Sequence, residues 1–379
     1  MAKQKERRVE EVEQTVVAPA SDGTMTIDAT KAKLIGKRKL FTLPQWGVAW
    51  LVLIPALIFI IFFMLYPIIN TFLEAFMVGF SYEEGGSFAI GQFIVGVGNG
   101  KQSFFGFDNF AEILDAERTP MFWHAIRNTA ELVIIEVPLT IIVSLLLATF
   151  LNSIKVLKGF YQTIFFLPYV TNAIALGLVF SIAFGPSNGG LVNMVLMKVF
   201  GMKDPINWVN IDSNNGYASR FHQGVVIVTY SLWNGLAFKI LVFMSGLATI
   251  DKQYYDAAKI DGSSSFTIWR RITLPLLSPQ ILYITITSFI GAFKMYTGVM
   301  TVYQGHGASN TANGYYFGPS EDVRYTDSQW IPVVGWIYKE VHDKPLAPGL
   351  AAAGSLVLLA MIMVITAVQF AVSKRRVHY

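Results

Sequence analysis

Cysteine is absent from the 379 residues and charge is scarce, with only 14% Asp, Glu, Lys or Arg. The missing thiols exclude a disulfide framework, thiolate metal sites and a cysteine nucleophile. A soluble domain carries about 25% charged residues. That deficit, beside 53% hydrophobic residues, points to a chain dissolved in lipid. The sequence also lacks GxxxxGK[ST] and HExxH, which excludes a P-loop nucleotide site and a zincin helix. Its histidines (His124, His222, His306, His342 and His378) have no ligand spacing. The expectation is a protein with no catalytic residues, no metal, no cofactor of its own and no nucleic-acid partner. The net charge of +4 is mild, so its distribution matters more than its sum.

Residues 1–45 are polar and charged, with KQKERR near the start and Lys37–Lys39 as KRK. Such a composition cannot form a core, so a disordered tail is expected. No apolar stretch follows the first basic residues directly, so the first apolar run is expected to be a retained anchor. Runs long enough to span a bilayer, about 20 residues, follow at 46–69, 128–151, 160–184, 224–250, 280–302 and 348–372. The fold class is therefore an all-α integral membrane protein with six transmembrane helices. The expected domains are a tail at 1–45, a membrane domain at 46–372 and a C-terminal tail at 373–379.

Between the fourth and fifth runs lies DKQYYDAAKIDGSSSFTIWRRITLPLLSP, residues 251–279. Asp251 can cap a first helix whose apolar stripe is Tyr254, Tyr255, Ala258 and Ile260. Asp261-Gly262 ends it, because glycine takes the left-handed C′ conformation without a Cβ clash. Ser263 then caps a second helix through Trp269 and Arg271. Pro275 stops that helix, and Ser278-Pro279 reads as the N-cap and N1 of the next.

Lysine and arginine placement sets orientation. With the N-terminus inside, eighteen fall on inside segments and nine on outside ones, the tail supplying half of the eighteen. Both termini and the 251–279 element are therefore expected in the cytoplasm. The outside segments, 70–127, 185–223 and 303–347, are long and rich in glycine and aromatics. Partial order and short interfacial helices are expected there.

The spacing Asp256-Ala257-Ala258-x-x-Asp261-Gly262, then Phe266 and Ile272-x-Leu274-Pro275-Leu276-Leu277-x-Pro279, resembles the EAA loop of binding-protein-dependent ABC importer permeases. SLWNGLAFKILVFMSGLATI at 231–250, FYQTIFFLPYV at 160–170 and GFDNFAEIL at 106–114 are similar to other signatures of the MalF-like carbohydrate-uptake family. The resemblance implies a multi-pass plasma-membrane permease subunit. Its partners would be a second homologous permease, two ATP-binding-cassette ATPase subunits that use ATP and Mg, and an extracellular solute-binding protein. It also implies that Tyr255, Asp256, Ala257, Ala258, Asp261, Gly262, Phe266 and Pro275 couple the chain to the ATPase. Asp256 stands where the family has glutamate, and Ser263 where it has alanine. Residues 313–330 make the last outside loop longer than usual.

Polar groups inside apolar runs are costly and so become candidates for a transport path. Tyr169, Asn172, Tyr230, Trp233, Asn234, Lys239, Lys294 and Tyr296 form that set. A 100° step places Tyr230, Trp233 and Asn234 on one helix face. The same spacing groups Phe289, Phe293 and Tyr296, with Lys294 beside them. Aromatic faces suit the C–H patches of sugars, and amides and charges suit their hydroxyls. Packing between helices serves equally for Trp233, and snorkelling or pairing with Glu131 or Glu136 for Lys239. Two lysines would also suit an anionic saccharide or polyol phosphate. A rival from another class is a secondary transporter or channel working alone, with no ATPase to dock.

Overall fold

The computed structural model describes residues 45–78, 104–154, 156–209, 219–304, 330–343 and 348–373. The tails, Lys155, residues 79–103 and the 313–329 stretch lie outside the described residues. Two compact units divide at Ile68.

The first unit holds α1 (Gln45–Ile60), a wide π turn (Ile61–Leu65) and the start of α2 (Tyr66–Phe76). Apolar side chains face outward all round it: Trp50, Leu53, Phe59, Phe62 and Phe63 are all exposed. A helix apolar on every side has lipid, not water, as its solvent. Phe59 and Phe63 stack one turn apart at 5.8 Å.

The second unit holds the rest of α2 and then a two-residue antiparallel pair, β1 (Met77–Val78) against β2 (Phe104–Phe105). Next come α3 (Asp108–Leu114), α4 (Pro120–Ser153), α5 (Lys158–Val170), α6 (Ala173–Ala183), α7 (Leu191–Phe200) and α8 (Arg220–Thr249). Then follow α9 (Lys252–Ile260), α10 (Ser265–Ile268), a π turn (Trp269–Thr273), α11 (Leu274–Leu276), α12 (Ser278–Phe293), α13 (Thr297–Gln304), α14 (Val333–Asp343) and α15 (Gly349–Ser373).

The long pair α4 and α8 forms the centre. Toward one end Leu145, Ile240, Phe243, Leu277 and Ile284 make a core. Another core gathers Ile227, Tyr230, Val299 and Trp330, and a third joins Phe122, Val133, Phe293, Trp336 and Leu358. Small residues let α15 approach closely. Gly354 lies against the Trp336 indole, and a Cβ there would sit 2.6 Å from Cζ3.

Among the described residues, four helices are long and apolar enough to cross a membrane: Ala49–Phe76, Pro120–Ser153, Arg220–Thr249 and Gly349–Ser373. Two bent pairs raise this to six if each is one span. The all-α membrane fold stands, but two expected spans are not single helices. The 160–184 run bends by 101° between Val170 and Ala173. The break falls at Thr171-Asn172 rather than at Pro168, which sits inside α5. Asn172 restarts the chain as an N-cap, its Oδ1 accepting from Ile174 N–H at 2.8 Å. The 280–302 run stops at Phe293, turns through Lys294, and resumes at Thr297. The expected outside segments do contain short helices, α3, α7 and α14.

Candidate functional site

At the far end of α8 the 251–276 element is built largely as its residues dictate. Asp251 caps α9, its carboxylate accepting from Gln253 N–H at 3.0 Å. Gly262 ends it at φ +71. Its N–H donates to Lys259 O and Ser263 N–H to Ala258 O, both at 3.0 Å, which is the Schellman closure. Ser264, not Ser263, caps α10, accepting from Thr267 N–H at 3.3 Å.

Pro275 does not stop the second helix. The turn before it widens to a π bulge, with Leu274 N–H donating to Trp269 O. The proline falls in the first turn of α11, where its missing N–H is tolerated. The 67° bend follows α11, before α12 begins at Ser278. Ser278 is not the cap either: Leu277 holds that place, and the Ser278 hydroxyl is buried with no hydrogen-bond partner.

The inner face of α9–α10 is fastened to the bundle. Tyr255 Oη and Thr273 Oγ1 share a hydrogen bond at 3.2 Å, and Trp269 Nε1 donates to Thr149 Oγ1 of α4 at 3.4 Å. Ala258 and Tyr255 are half-buried. Tyr254 and Ile260 do not join that inner face: they are 57% and 87% exposed, and Phe266 is 67% exposed. Ala257, Asp261 and Asp256 are also exposed, with Asp256 3.5 Å from Lys259 on the surface. The element thus presents three exposed apolar side chains, Tyr254, Ile260 and Phe266, as a knobbed surface that also carries the exposed Asp256 carboxylate.

The path candidates separate. Tyr230 is only 3% exposed. Its ring packs on Phe180 and its hydroxyl donates to Ala173 O at 3.0 Å, so it is a core residue bracing the start of α6. Trp233 is 38% exposed and Asn234 half-buried. Asn172 is committed to its cap. Lys294 is exposed at the end of α12, and Tyr296 lies in the break beyond it with its ring 5.0 Å from Tyr338. Tyr296 therefore does not share a helix with Phe289 and Phe293.

Lys239 answers Glu136 and not Glu131. Its Nζ sits over Gly235, close enough that a Cβ there would be 2.8 Å away, with Thr140 alongside. It interacts electrostatically with Glu136, whose Oε2 is buried without a hydrogen-bond partner. Glu131 is held by Arg127 at 2.9 Å and Arg220 at 2.6 Å.

Two residues that sequence reasoning missed complete an exposed aromatic row. The rings of Tyr169 and Phe238 are 6.3 Å apart and nearly parallel, and Phe238 and Tyr283 are 6.4 Å apart. They come from α5, α8 and α12, and are 61%, 36% and 49% exposed. Nothing local marks Phe238 or Tyr283 within their apolar runs. A GxSxG string, GPSNG at 185–189, forms the turn between α6 and α7, where Ser187 Oγ accepts from Gly189 N–H at 3.4 Å. It is not a strand-to-helix elbow, and among the described residues no group of His, Cys, Asp or Glu could hold a metal.

Residues 140–378 match the family described as binding-protein-dependent transport system inner membrane component. The lactose transport system permease protein LacF of Rhizobium radiobacter is 27% identical, over 86% of this chain and 94% of that protein. The arabinooligosaccharides transport system permease protein AraP of Bacillus subtilis (strain 168) is 28% identical, over 94% and 97%. The sn-glycerol-3-phosphate transport system permease protein UgpA of Rhizobium meliloti is 26% identical, over 74% and 84%. Among solved structures, a bacterial ABC transporter that imports the acidic polysaccharide alginate superposes with a TM-score of 0.65 at 17% identity, covering 92% of this chain and 99% of that one. That likeness is one of fold.

Proposed function

Since the chain belongs to the family of binding-protein-dependent transport system inner membrane components, a permease subunit with no ATPase site of its own, we propose that it imports an oligosaccharide. The observation that carries this cargo class is the exposed row Tyr169–Phe238–Tyr283. Ring faces in series offer apolar platforms for the C–H faces of successive sugar units. Lys239, which follows Phe238 on α8, keeps hydrogen-bonding capacity, while Glu136 balances its charge. That balance favours neutral chains over anionic ones. The relatives named for lactose and arabinooligosaccharides support the same class. Trp233, Asn234 and Lys294 would line the same path.

The importer is completed by a second permease, two ATPase subunits and an extracellular solute-binding protein, as the membership suggests. Both termini face the cytoplasm, and residues 46–372 form the membrane domain flanked by the 1–45 and 373–379 tails. The knob of Tyr254, Ile260 and Phe266, with Asp256 and Gly262, docks on the ATPase. Tyr255, bonded to Thr273 of the π turn, stiffens the element, and Trp269, bonded to Thr149, passes the push to α4.

A second reading, an anionic saccharide or polyol phosphate, draws on Lys294: among the described residues no carboxylate forms an ion pair with it. Uptake competition separates the two. Proteoliposomes carrying the full importer are challenged with neutral and acidic oligosaccharides, and selective competition by the acidic set overturns the neutral reading. For coupling, Asp256→Ala and Gly262→Pro should leave ATP hydrolysis unlinked from uptake. Unchanged uptake in both variants would contradict a docking role.

A further inference from the structure

At the end of α8 opposite the 251–276 element, Arg220 is gripped on two sides. Its Nη2 donates to Glu131 Oε2 at 2.6 Å and to Asn128 Oδ1 at 2.9 Å, both on α4. Its guanidinium also lies 4.2 Å from the centre of the Trp330 ring. The contact is returned, because Trp330 Nε1 donates to the Arg220 carbonyl at 2.7 Å. One turn along α8, Gly224 makes room for the indole: a Cβ there would sit 2.8 Å from Cζ2. Asn128 Nδ2 meanwhile donates to Ile331 O at 3.1 Å, and Val333 N–H donates to Thr129 Oγ1 at 2.9 Å. The segment at 330–333 is thus seated in a socket made by α4 and α8, with Trp330 6% and Val333 1% exposed.

This socket is the link between α14 and α8. The helix α14 itself packs chiefly on α4 and α15, so its tie to α8 runs through Trp330 and Arg220. From Arg220 the 30 residues of α8 run about 45 Å at 1.5 Å per residue. They end at Thr249, two residues before the Asp251 cap of α9. Resting on the coupling role proposed for that element, the arrangement places a charged clamp at one end of a rigid strut and the ATPase-facing knob at the other.

We propose that Arg220 is a positioning residue that locks residues 330–343 to α8, so that the segment moves as one body with the strut when the 251–276 element is pushed. Conformational coupling needs an element with defined alternatives and contacts that bias it. A guanidinium shared by two helices and an indole is such a contact. Arg127 also faces Glu131, so the carboxylate stays neutralised when Arg220 is replaced, and the loss falls on the 330–333 seat.

The absence of cysteine from the chain makes the test clean. In the assembled importer, Val333→Cys is labelled with a membrane-impermeant maleimide in backgrounds carrying Arg220, R220K and R220A. The expected result is slow labelling with Arg220, intermediate labelling with R220K, and labelling about tenfold faster with R220A. A tenfold change corresponds to about 1.4 kcal/mol in the opening equilibrium. Spin labels at Phe221→Cys and Val341→Cys, both exposed positions, then report the α8–α14 distance without nucleotide and after ATP–vanadate trapping. One narrow distance in both states with Arg220, lost or broadened in R220A, is expected. A distance that changes on trapping with Arg220 present, or that stays narrow in an assembled R220A importer, overturns the proposal. If R220A does not assemble, Trp330→Phe keeps the ring but removes the donor to Arg220 O, and the same two outcomes are read from it. Failure of the unaltered chain to co-purify with any ATPase activity counts against the proposed function instead.

Discussion

Gly177 of α6 lies directly against Thr301 of α13, so close that a Cβ on the glycine would overlap the threonine Oγ1. Both helices begin just after a break in an apolar run, and each lies next to Tyr230: Phe180 of α6 meets its ring, and Gly298 of α13 lies close against one side of it. The breaks are therefore braced by packing. Gly177→Ala should lower stability by about 1–3 kcal/mol, the usual cost of forcing a methyl into a filled contact. The check is the thermal midpoint of the purified chain in detergent. Adding Thr301→Gly should recover part of the loss, because it vacates the space the new methyl needs.

Glu136 and Lys239 make a second interhelical relationship with a measurable sign. The carboxylate is 8% exposed and one of its oxygens has no hydrogen-bond partner, so Lys239 is the charge that stabilises it in place. Removing one member of a buried salt bridge costs about 3–5 kcal/mol, and this pair, which makes no direct ion-pair contact and has Lys239 only half-buried, costs less. Lys239→Met should therefore destabilise by about 2 kcal/mol, and Glu136→Gln on top of it should restore most of that. A double-mutant cycle on thermal midpoints decides. Additive losses would mean the two side chains do not interact.

The residues that were legible in sequence are those whose partners lie a turn away. Asp251 needs only the Gln253 N–H, and Gly262 needs only a positive φ, so the ends of α9 were readable. Ser263 and Ser264 are both capping residues by type, and which of them caps depends on where the turn after Gly262 lets α10 begin. Pro275 reads as a stop until the preceding turn widens into a π bulge, which no propensity encodes. The long apolar runs were legible as spans, but the bends at Thr171-Asn172 and at Lys294 depend on where α6 and α13 find each other. Arg220 counted only as one more charge in a long segment. Its partners Glu131 and Trp330 are 89 and 110 residues away, beyond anything spacing can reach. The same holds for Phe238 and Tyr283, which become a row with Tyr169 only after three helices assemble.

The exposed knob of α9–α10 separates docking from stability. Ile260 is 87% exposed, and surface substitutions away from special features usually change stability by less than about 0.5 kcal/mol. Ile260→Asp should leave the thermal midpoint of the isolated chain unchanged while sharply reducing the ATPase that co-purifies with it. Phe266→Ser should behave the same way with a somewhat larger stability cost, since its ring stacks on Trp269 at 6.1 Å. Equal recovery of ATPase with both variants would remove the knob from the interface.

Asp256 offers the finest discrimination. Its only ion-pair partner among the described residues is Lys259, at 3.5 Å with both side chains 69% exposed, and such surface pairs contribute little after solvent screening. Asp256→Asn should therefore fold as well as the unaltered chain, with α9 still capped by Asp251 and closed by Gly262. If the carboxylate instead serves a cationic group on the ATPase, Asp256→Asn should weaken coupling and Asp256→Glu should preserve it, because glutamate keeps the charge and extends its reach by one methylene. The measurement is ATP hydrolysed per solute taken up by reconstituted importers. A ratio that rises in Asp256→Asn and is restored in Asp256→Glu assigns the charge to docking. A ratio equal in all three chains would leave the apolar knob alone as the contact that transmits force.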